Sequence, residues 1–263
     1  MKKTETREAV VLSNEENKLF GILHRPLVSP PYPGVLICHG FGGNKLGRHH
    51  LYVSLAQLLA KEGIATLRLD FRGCGDSEGN FEEVNFENLL SDAKAGLKFL
   101  QKDPLIHPAR LGLLGRSLGG ALAVLLASHT HAFKTICLWA PLFSAEEWKE
   151  KWKLLQTISD PLQKEELMKV NGKKASYAFY EQLFQLRLEP ELVNLRQVPL
   201  LHIQGKKDLI ITNAQAQRYR QHRENSEAES KFVELPNSDH DFSHTEEQRL
   251  AIEETLTWFK RTL

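Results

Sequence analysis

Residues Arg110–Ala127, RLGLLGRSLGGALAVLLA, run from an apolar strand pattern into Gly115-Arg116-Ser117-Leu118-Gly119 and at once into an Ala/Leu-rich helical pattern. That context turns a Gly-x-Ser-x-Gly match into a nucleophile elbow, a sharp turn between strand and helix. The glycines let the two backbones approach closely, so Ser117 projects its hydroxyl from the turn. Beneath it, the helix N-terminus supplies N–H groups with no partner inside the helix. Ser117 is the candidate nucleophile; the plain alternative is a serine that caps a helix.

Gly75-Asp76-Ser77-Glu78-Gly79 fits the same five-residue pattern. Here two acids flank the serine and would repel a developing alkoxide, and GNFEEVNFENL after it has turn chemistry before any helical period. No strand-turn-helix is expected around Ser77.

A chain of 263 residues with 41% hydrophobic residues suits one large α/β domain with an insertion. Lys and Arg number 34 against 33 Asp and Glu, a net charge of +1. That balance offers no footprint for nucleic acid and no reason to invoke an anionic membrane; a small, roughly neutral ligand fits better. MKKTETREAVVL begins basic but has no apolar stretch behind it, and no apolar run is long enough to span a bilayer, so the expectation is a soluble, cytoplasmic protein. Cys38, Cys74 and Cys137 form an odd set without a close pair and are expected as buried free thiols.

Working outward from the elbow, Arg7–Ser13 and Lys18–Arg25 predict a hairpin around Asn14–Asn17. Past the Pro-rich Ser29–Pro33, six strand-like runs follow: Gly34–Cys38, Ile64–Leu69, Leu111–Leu114, Lys134–Leu138, Pro199–Ile203 and Lys231–Leu235. They alternate with helical patterns at Leu51–Lys61, Phe86–Gln101, Leu118–Ser128, Ala214–Arg223 and Thr245–Leu263. This rhythm predicts an α/β fold whose mostly parallel, eight-stranded sheet carries helices on both faces. It breaks once, between Pro141 and Arg196, in a segment rich in Lys, Glu, Gln, Trp and Phe with no convincing strand. The expected organisation is a core of 1–140 and 197–263 with a small helical cap at 141–196. Such an insertion emerges at the carboxyl edge of the sheet, where open α/β folds bind ligands.

A serine hydroxyl needs a base, and the base needs an acid to orient it. Asp208 follows the run Pro199–Ile203 and His240 follows Lys231–Leu235, so both are loop residues at the same sheet edge as Ser117. Each could instead serve turn chemistry. Among competing acids, Asp239 and Asp241 flank His240 too closely to reach back to its Nδ1, and Asp70 precedes the serine. Arg72 is expected to pair with Asp70 or Asp76. His49-His50 and His129-x-His131 lack neighbouring ligands at metal spacing, so no metal and no cofactor is expected. His202 should face the sheet interior.

His39-Gly40-Phe41-Gly42-Gly43 follows the first parallel strand as a glycine-rich loop, and the backbone N–H groups of Phe41 and Leu118 are the candidate oxyanion hole. Trp148 and Trp152 stand at i, i+4 in the insertion, followed by Tyr177, Phe179, Tyr180 and Phe184. Some of these rings pack the cap; Trp148, Trp152, Tyr177 and Tyr180 are the candidate substrate contacts.

Taken together, HGFGG, the Asp70-Phe-Arg-Gly-x-Gly-x-Ser77 stretch, GRSLGG, GKKD and SDH resemble the α/β-hydrolase superfamily over nearly the whole chain. Within it, the sequence is most similar to small bacterial cinnamoyl and feruloyl esterases, which share the HGF loop, the DFxGxGxS stretch and a modest insertion after the sixth strand. The resemblance implies a Ser117–His240–Asp208 triad and a structural role for the DFRGCGDS loop. It also implies a serine carboxylesterase acting through an acyl-enzyme on small to medium, aromatic esters, with a small-molecule substrate as its partner. In those relatives histidine usually precedes the nucleophile; here it is Arg116. The alternatives are a peptidase or amidase, or an acyl-thioesterase, of the same fold, and beyond those a non-catalytic binding module. Oligomeric state, a homodimer included, is left open by these motifs.

Overall fold

The computed structural model describes residues 4–170 and 172–263. Strands β1 (Glu5–Asn14) and β2 (Asn17–Pro26) form the antiparallel hairpin, and β2 pairs antiparallel with β4 (Ala65–Leu69). Every further pairing in the large sheet is parallel, through β3 (Tyr32–Cys38), β5 (Ile106–Arg116), β6 (Thr135–Trp139), β9 (Leu200–Gly205) and β10 (Ser230–Leu235). The eight strands lie in the order β1-β2-β4-β3-β5-β6-β9-β10.

The central strands are apolar throughout because both faces are covered. Along β3, Leu36 and Cys38 join one buried cluster while Val35 and Ile37 join the other, and β6 splits likewise between Ile136/Leu138 and Cys137/Trp139. Helices α2 (Phe86–Lys102), α3 (Leu118–Thr130) and α8 (Asn213–Arg223) cover the first face; α1 (Leu51–Lys61) and α9 (Thr245–Thr262) cover the second. Buried Trp side chains tie α9 to β6: Trp139 Nε1 donates to Thr255 Oγ1 at 2.9 Å and Trp258 Nε1 to Thr135 Oγ1 at 2.7 Å. Each bond satisfies an indole N–H that would otherwise be buried at a cost of about 1–3 kcal/mol.

Between β6 and β9 lie helices α4 (Lys149–Thr157), α5 (Pro161–Met168), α6 (Tyr177–Gln185) and α7 (Glu189–Asn194). The sequence predicts no strand there, yet Lys169–Val170 (β7) and Lys173–Lys174 (β8) form a two-residue antiparallel ladder. A pairing that short has no periodicity to read and is closed by the turn at Gly172, whose φ is 73°. No helix among the described residues is long and apolar enough to cross a membrane.

The loop after β4 also departs from expectation. Arg72 binds Asp92 of α2 through Nη2 at 2.7 Å and Glu15 through Nη1 at 2.9 Å, while Lys45 holds both Asp70 and Asp76. Asp92 lies twenty positions downstream and is fully buried, a pairing no local reading of DFRGCGDS could find.

Candidate active site

Ser117 sits at φ 55°, ψ −124° between β5 and α3. A non-glycine residue there is strained by about 1–3 kcal/mol, and the surroundings hold it in place. Its N–H donates to Trp139 O at 3.0 Å, and its carbonyl accepts from Gly120 N at 2.9 Å and Leu142 N at 3.0 Å. The flanking glycines are sterically required: a Cβ on Gly115 would stand 2.3 Å from Gly119 O, and one on Gly119 would stand 2.2 Å from Cys38 O.

Asp208 and His240 follow the parallel neighbours β9 and β10, so their loops leave the same edge. The buried Asp208 carboxyl takes four hydrogen bonds: Oδ1 from the N–H groups of Ile210 (2.9 Å) and Ile211 (2.8 Å), Oδ2 from Gln204 Nε2 (3.0 Å) and His240 Nδ1 (2.7 Å). With Nδ1 donating to Asp208, the lone pair of Nε2 is left facing Ser117 Oγ at 3.1 Å. Three residues far apart in sequence thus meet in one hydrogen-bonded line.

The competitors lie elsewhere. Asp239 accepts from Asp241 N and from the backbone and hydroxyl of Ser243, winding its own loop. Burial disfavours its charge, yet these hydrogen bonds hold its pKa below the usual aspartate value. Asp70 accepts from Lys45 and from Asp76 N. Ser77 donates to Asp70 O at 2.7 Å and accepts from Phe20 N at 2.8 Å, a structural bridge between β2 and the loop after β4.

The turn Gly40–Gly43 closes by Gly43 N–H to Gly40 O at 3.0 Å, and Phe41 N–H donates to no group among the described residues. Leu118 N–H is the first of the unpaired donors of α3. Sequence reasoning overlooked how His39 supports this turn. Its Nδ1–H donates to Gly40 O at 2.8 Å and its Nε2 accepts from Phe71 N–H at 3.1 Å, an arrangement that only the neutral ring can make. Burial pushes the His39 pKa below the ordinary imidazole value, in keeping with that state.

A cavity of about 310 Å³ opens on Ser117 and is lined by Phe41, Leu118, Leu142 and residues from 141–196, with Ile210 and Ile211 from the Asp208 loop. Trp148, Trp152 and Tyr180 line it, and Tyr180 OH donates to Met168 O. Tyr177 does not line it: its ring backs Trp152, with centroids 5.1 Å apart, and Lys164 lies over it at 4.7 Å. Tyr177 precedes α6 residues Tyr180 and Phe184 by three and seven positions, so helical spacing alone could not separate wall from support. Phe179, Leu183 and Phe184 do line the cavity, as does Lys151, its one basic side chain among the described residues. No group of three or more His, Cys, Asp or Glu among the described residues could hold a metal ion. The three cysteines are free and buried, and burial pushes each thiol up to about 12.

Comparison with known proteins adds to this geometry. The sequence model described as prolyl oligopeptidase family matches residues 50–263. Curated relatives include an uncharacterised protein of Mycobacterium tuberculosis, 34% identical over 121 residues, which are 46% of this chain and 41% of that protein. The quorum-quenching protein AidA of Acinetobacter baumannii is 27% identical over 133 residues, 50% of this chain and 43% of AidA. The chain therefore spans less than half the length of these curated relatives. Among solved structures, Est1E of Butyrivibrio proteoclasticus with ferulic acid bound superposes with a TM-score of 0.80 at 23% identity, covering 97% of this chain and 99% of Est1E. A Pyrococcus furiosus esterase gives 0.74 at 18% identity, over 98% and 91% of the two chains. At those identities the likeness speaks for the fold, which is that of the α/β-hydrolases.

Proposed function

The chain belongs to the prolyl oligopeptidase family, and from that premise we propose that it is a serine carboxylesterase acting on small to medium, aromatic esters. The observation that carries the reading is the line Asp208 Oδ2–His240 Nδ1 (2.7 Å) and His240 Nε2–Ser117 Oγ (3.1 Å), opening onto an apolar cavity.

In this reading His240 Nε2 takes the Ser117 hydroxyl proton as Oγ attacks the ester carbonyl. The tetrahedral oxyanion lies against the N–H groups of Phe41 and Leu118, where each aligned donor is worth roughly 10²–10³ in rate. The imidazolium returns the proton to the departing alkoxide, leaving an acyl-Ser117 ester. Water, deprotonated by the same nitrogen, then attacks the acyl carbon; as the acyl–Oγ bond breaks, the imidazolium returns the proton to Ser117 Oγ and the acid is released.

Residues 141–196 serve as a cap on a core of 1–140 and 197–263, supplying the aromatic wall from α4 and α6. Trp148, Trp152, Phe179 and Phe184 favour a flat or apolar acyl group by ring contact and area burial. The bound ferulic acid of Est1E, a neighbour of the same fold, supports an aromatic acid of that size. The family description brings amide cleavage as a second reading. Against aminoacyl substrates stands the lining itself: it holds no carboxylate among the described residues, and its one cation, Lys151, would repel an ammonium group.

The test is a pre-steady-state assay with p-nitrophenyl acetate together with a fluorophosphonate probe. A burst of p-nitrophenol close to one equivalent and a single adduct on the Ser117 peptide are expected. Absence of both burst and adduct would overturn the reading.

A further inference from the structure

The residue before the candidate nucleophile, Arg116, is 8% exposed. Its Nη2 donates to the main-chain oxygen of His240 at 2.7 Å and also to Asp241 Oδ1. No other hydrogen bond reaches His240 O among the described residues. The second oxygen of Asp241 lies 3.5 Å from Arg48 Nε, on the chain that continues from the turn carrying Phe41. Meanwhile Arg116 Nε is buried without a hydrogen-bond partner. A buried guanidinium with an unmade bond is a poor choice for stability, where an apolar side chain of similar length would serve better.

We propose that Arg116 and Asp241 form a positioning clamp that sets the His240 imidazole against Ser117. The proposal rests on the triad reading above and names what fixes its hydrogen-bond distance. Asp208 orients the imidazole ring through Nδ1, but it does not fix how far the His240 loop stands from the elbow. That loop contains a left-handed residue, Phe242 at φ 54°. Glu247 of α9 anchors it before His240 by accepting from Asn237 N–H and Ser238 Oγ, Gln248 Nε2 donates to Phe242 O after it, and Asp239 winds its middle. The oxygen of His240 itself is held by Arg116 alone among the described residues. Arg116 adjoins Ser117 on the chain, so its grip on His240 O ties the base to the backbone that carries the nucleophile. The two N–H groups of the one atom Nη2, fixed in the guanidinium plane, address the carbonyl and the carboxylate together. The Arg48 arm, with a side chain 61% exposed, is screened by solvent and contributes little, whereas the Arg116 side chain is 9% exposed.

The full-length protein tests the clamp as Arg116→Met, Asp241→Ala, Asp241→Asn and the double variant Arg116→Met/Asp241→Ala. For Arg116→Met, kcat on a p-nitrophenyl ester should fall roughly 10- to 100-fold with KM within about twofold, and phosphonylation of Ser117 should slow in parallel. Thermal unfolding should be unchanged or shifted upward. Asp241→Asn keeps an oxygen that accepts from Nη2 and should retain clearly more activity than Asp241→Ala. The double variant should be no worse than the poorer single one, because the two residues act as a unit. Full kcat in Arg116→Met, a loss carried by KM, or strictly additive losses would overturn the clamp while a labelled Ser117 leaves the triad reading standing. If Arg116→Met does not fold, the Asp241→Ala and Asp241→Asn pair decides, equal activities counting against the clamp. Failure of the parent protein to label at Ser117 would overturn both.

Discussion

The rings of Phe41 and Phe179 meet with centroids 5.0 Å apart, which joins the turn bearing one proposed oxyanion donor to helix α6. Phe179 stacks in turn on Phe86 of α2 at 5.3 Å, and Lys173 Nζ donates to Gly42 O at 3.1 Å. The sheet side of the same turn is held by His39, bonded to Gly40 O and to Phe71 N–H. A short glycine-rich segment is thus fixed from two directions, and the aromatic wall of the cavity is one of them.

Removing the ring at Phe179, which is 2% exposed, should therefore do more than leave a hole. Phe179→Ala is expected to lose about 3–5 kcal/mol of unfolding free energy, and kcat should fall about tenfold as the Phe41 N–H loses its alignment. Phe184→Ala, which stacks on Trp152 away from that turn, should instead raise KM. Urea unfolding and steady-state kinetics on one ester measure both. Wild-type kcat in a folded Phe179→Ala would detach the turn from the helix.

Two serines share one pattern, and their neighbourhoods separate them. Ser117→Ala should lose on the order of 10³-fold or more in kcat, leaving what oxyanion donors and binding supply. Ser77→Ala should keep most of its turnover and lose about 1–2 kcal/mol of stability, because Ser77 bridges Phe20 N and Asp70 O. Comparable kinetic losses at both positions would reverse the assignment.

The pH dependence of stability has a definite source in His202. With the ring of Tyr219 edge-on and that of Phe232 tilted against it, and with Nδ1 buried and unpaired, its pKa is pushed by burial from 6.5 down to about 4. Above pH 6.5 the ring is neutral in the folded and unfolded chain alike, so it adds no dependence. Between pH 6.5 and about 4 the unfolded chain binds a proton that the folded chain refuses, and stability falls as the pH falls. His202→Phe keeps the aromatic contacts and removes the titration. The variant should gain on the wild type by an amount on the order of 3 kcal/mol between pH 7 and pH 4, read from denaturant midpoints at each pH. Parallel pH curves would rule out His202 as the cause.

The strand–helix alternation and the elbow were legible because both rest on local, periodic signals, whereas the strand order does not. Apolar runs such as Gly34–Cys38 alternate with helical faces, and Gly115 and Gly119 mark a backbone approach that no side chain tolerates. Asp208 and His240 could be placed at the right edge by counting strands. What stayed hidden depends on contacts between distant positions. Asp92 takes Arg72 across twenty residues, and Arg116 reaches His240 across more than a hundred. Tyr177 shares its aromatic identity with Tyr180, and only the turn of α6 around Trp152 decides which of them faces the cavity. Ile210 and Ile211 escaped notice because a dipeptide after a turn has no period; they line the cavity because Asp208 Oδ1 binds both of their N–H groups.

Substrate choice follows from the size and lining of the cavity. About 310 Å³ of mostly apolar space suits a phenyl- or cinnamoyl-sized acid. Trp152 is the ring best placed to set this preference, since it lines the cavity while stacked on Phe184 at 5.0 Å and backed by Tyr177. Aryl and hydroxycinnamoyl esters and short p-nitrophenyl esters should therefore be cleaved with higher kcat/KM than long-chain triacylglycerols or aminoacyl amides. Trp152→Ala should raise KM for an aromatic ester about tenfold or more, the loss of roughly 1.5–3 kcal/mol of ring contact, and leave kcat within about threefold, because in the proposed reading the ring would contact the acyl group and not the reacting carbonyl. Tyr177→Ala acts through Trp152 alone and should have a smaller effect of the same kind. A panel of p-nitrophenyl acyl esters, methyl hydroxycinnamates and aminoacyl p-nitroanilides measures all of this. A preference for lipid emulsions would imply a larger binding surface than this cavity offers, and a preference for the anilides would mean that Lys151 does not repel the substrate ammonium group.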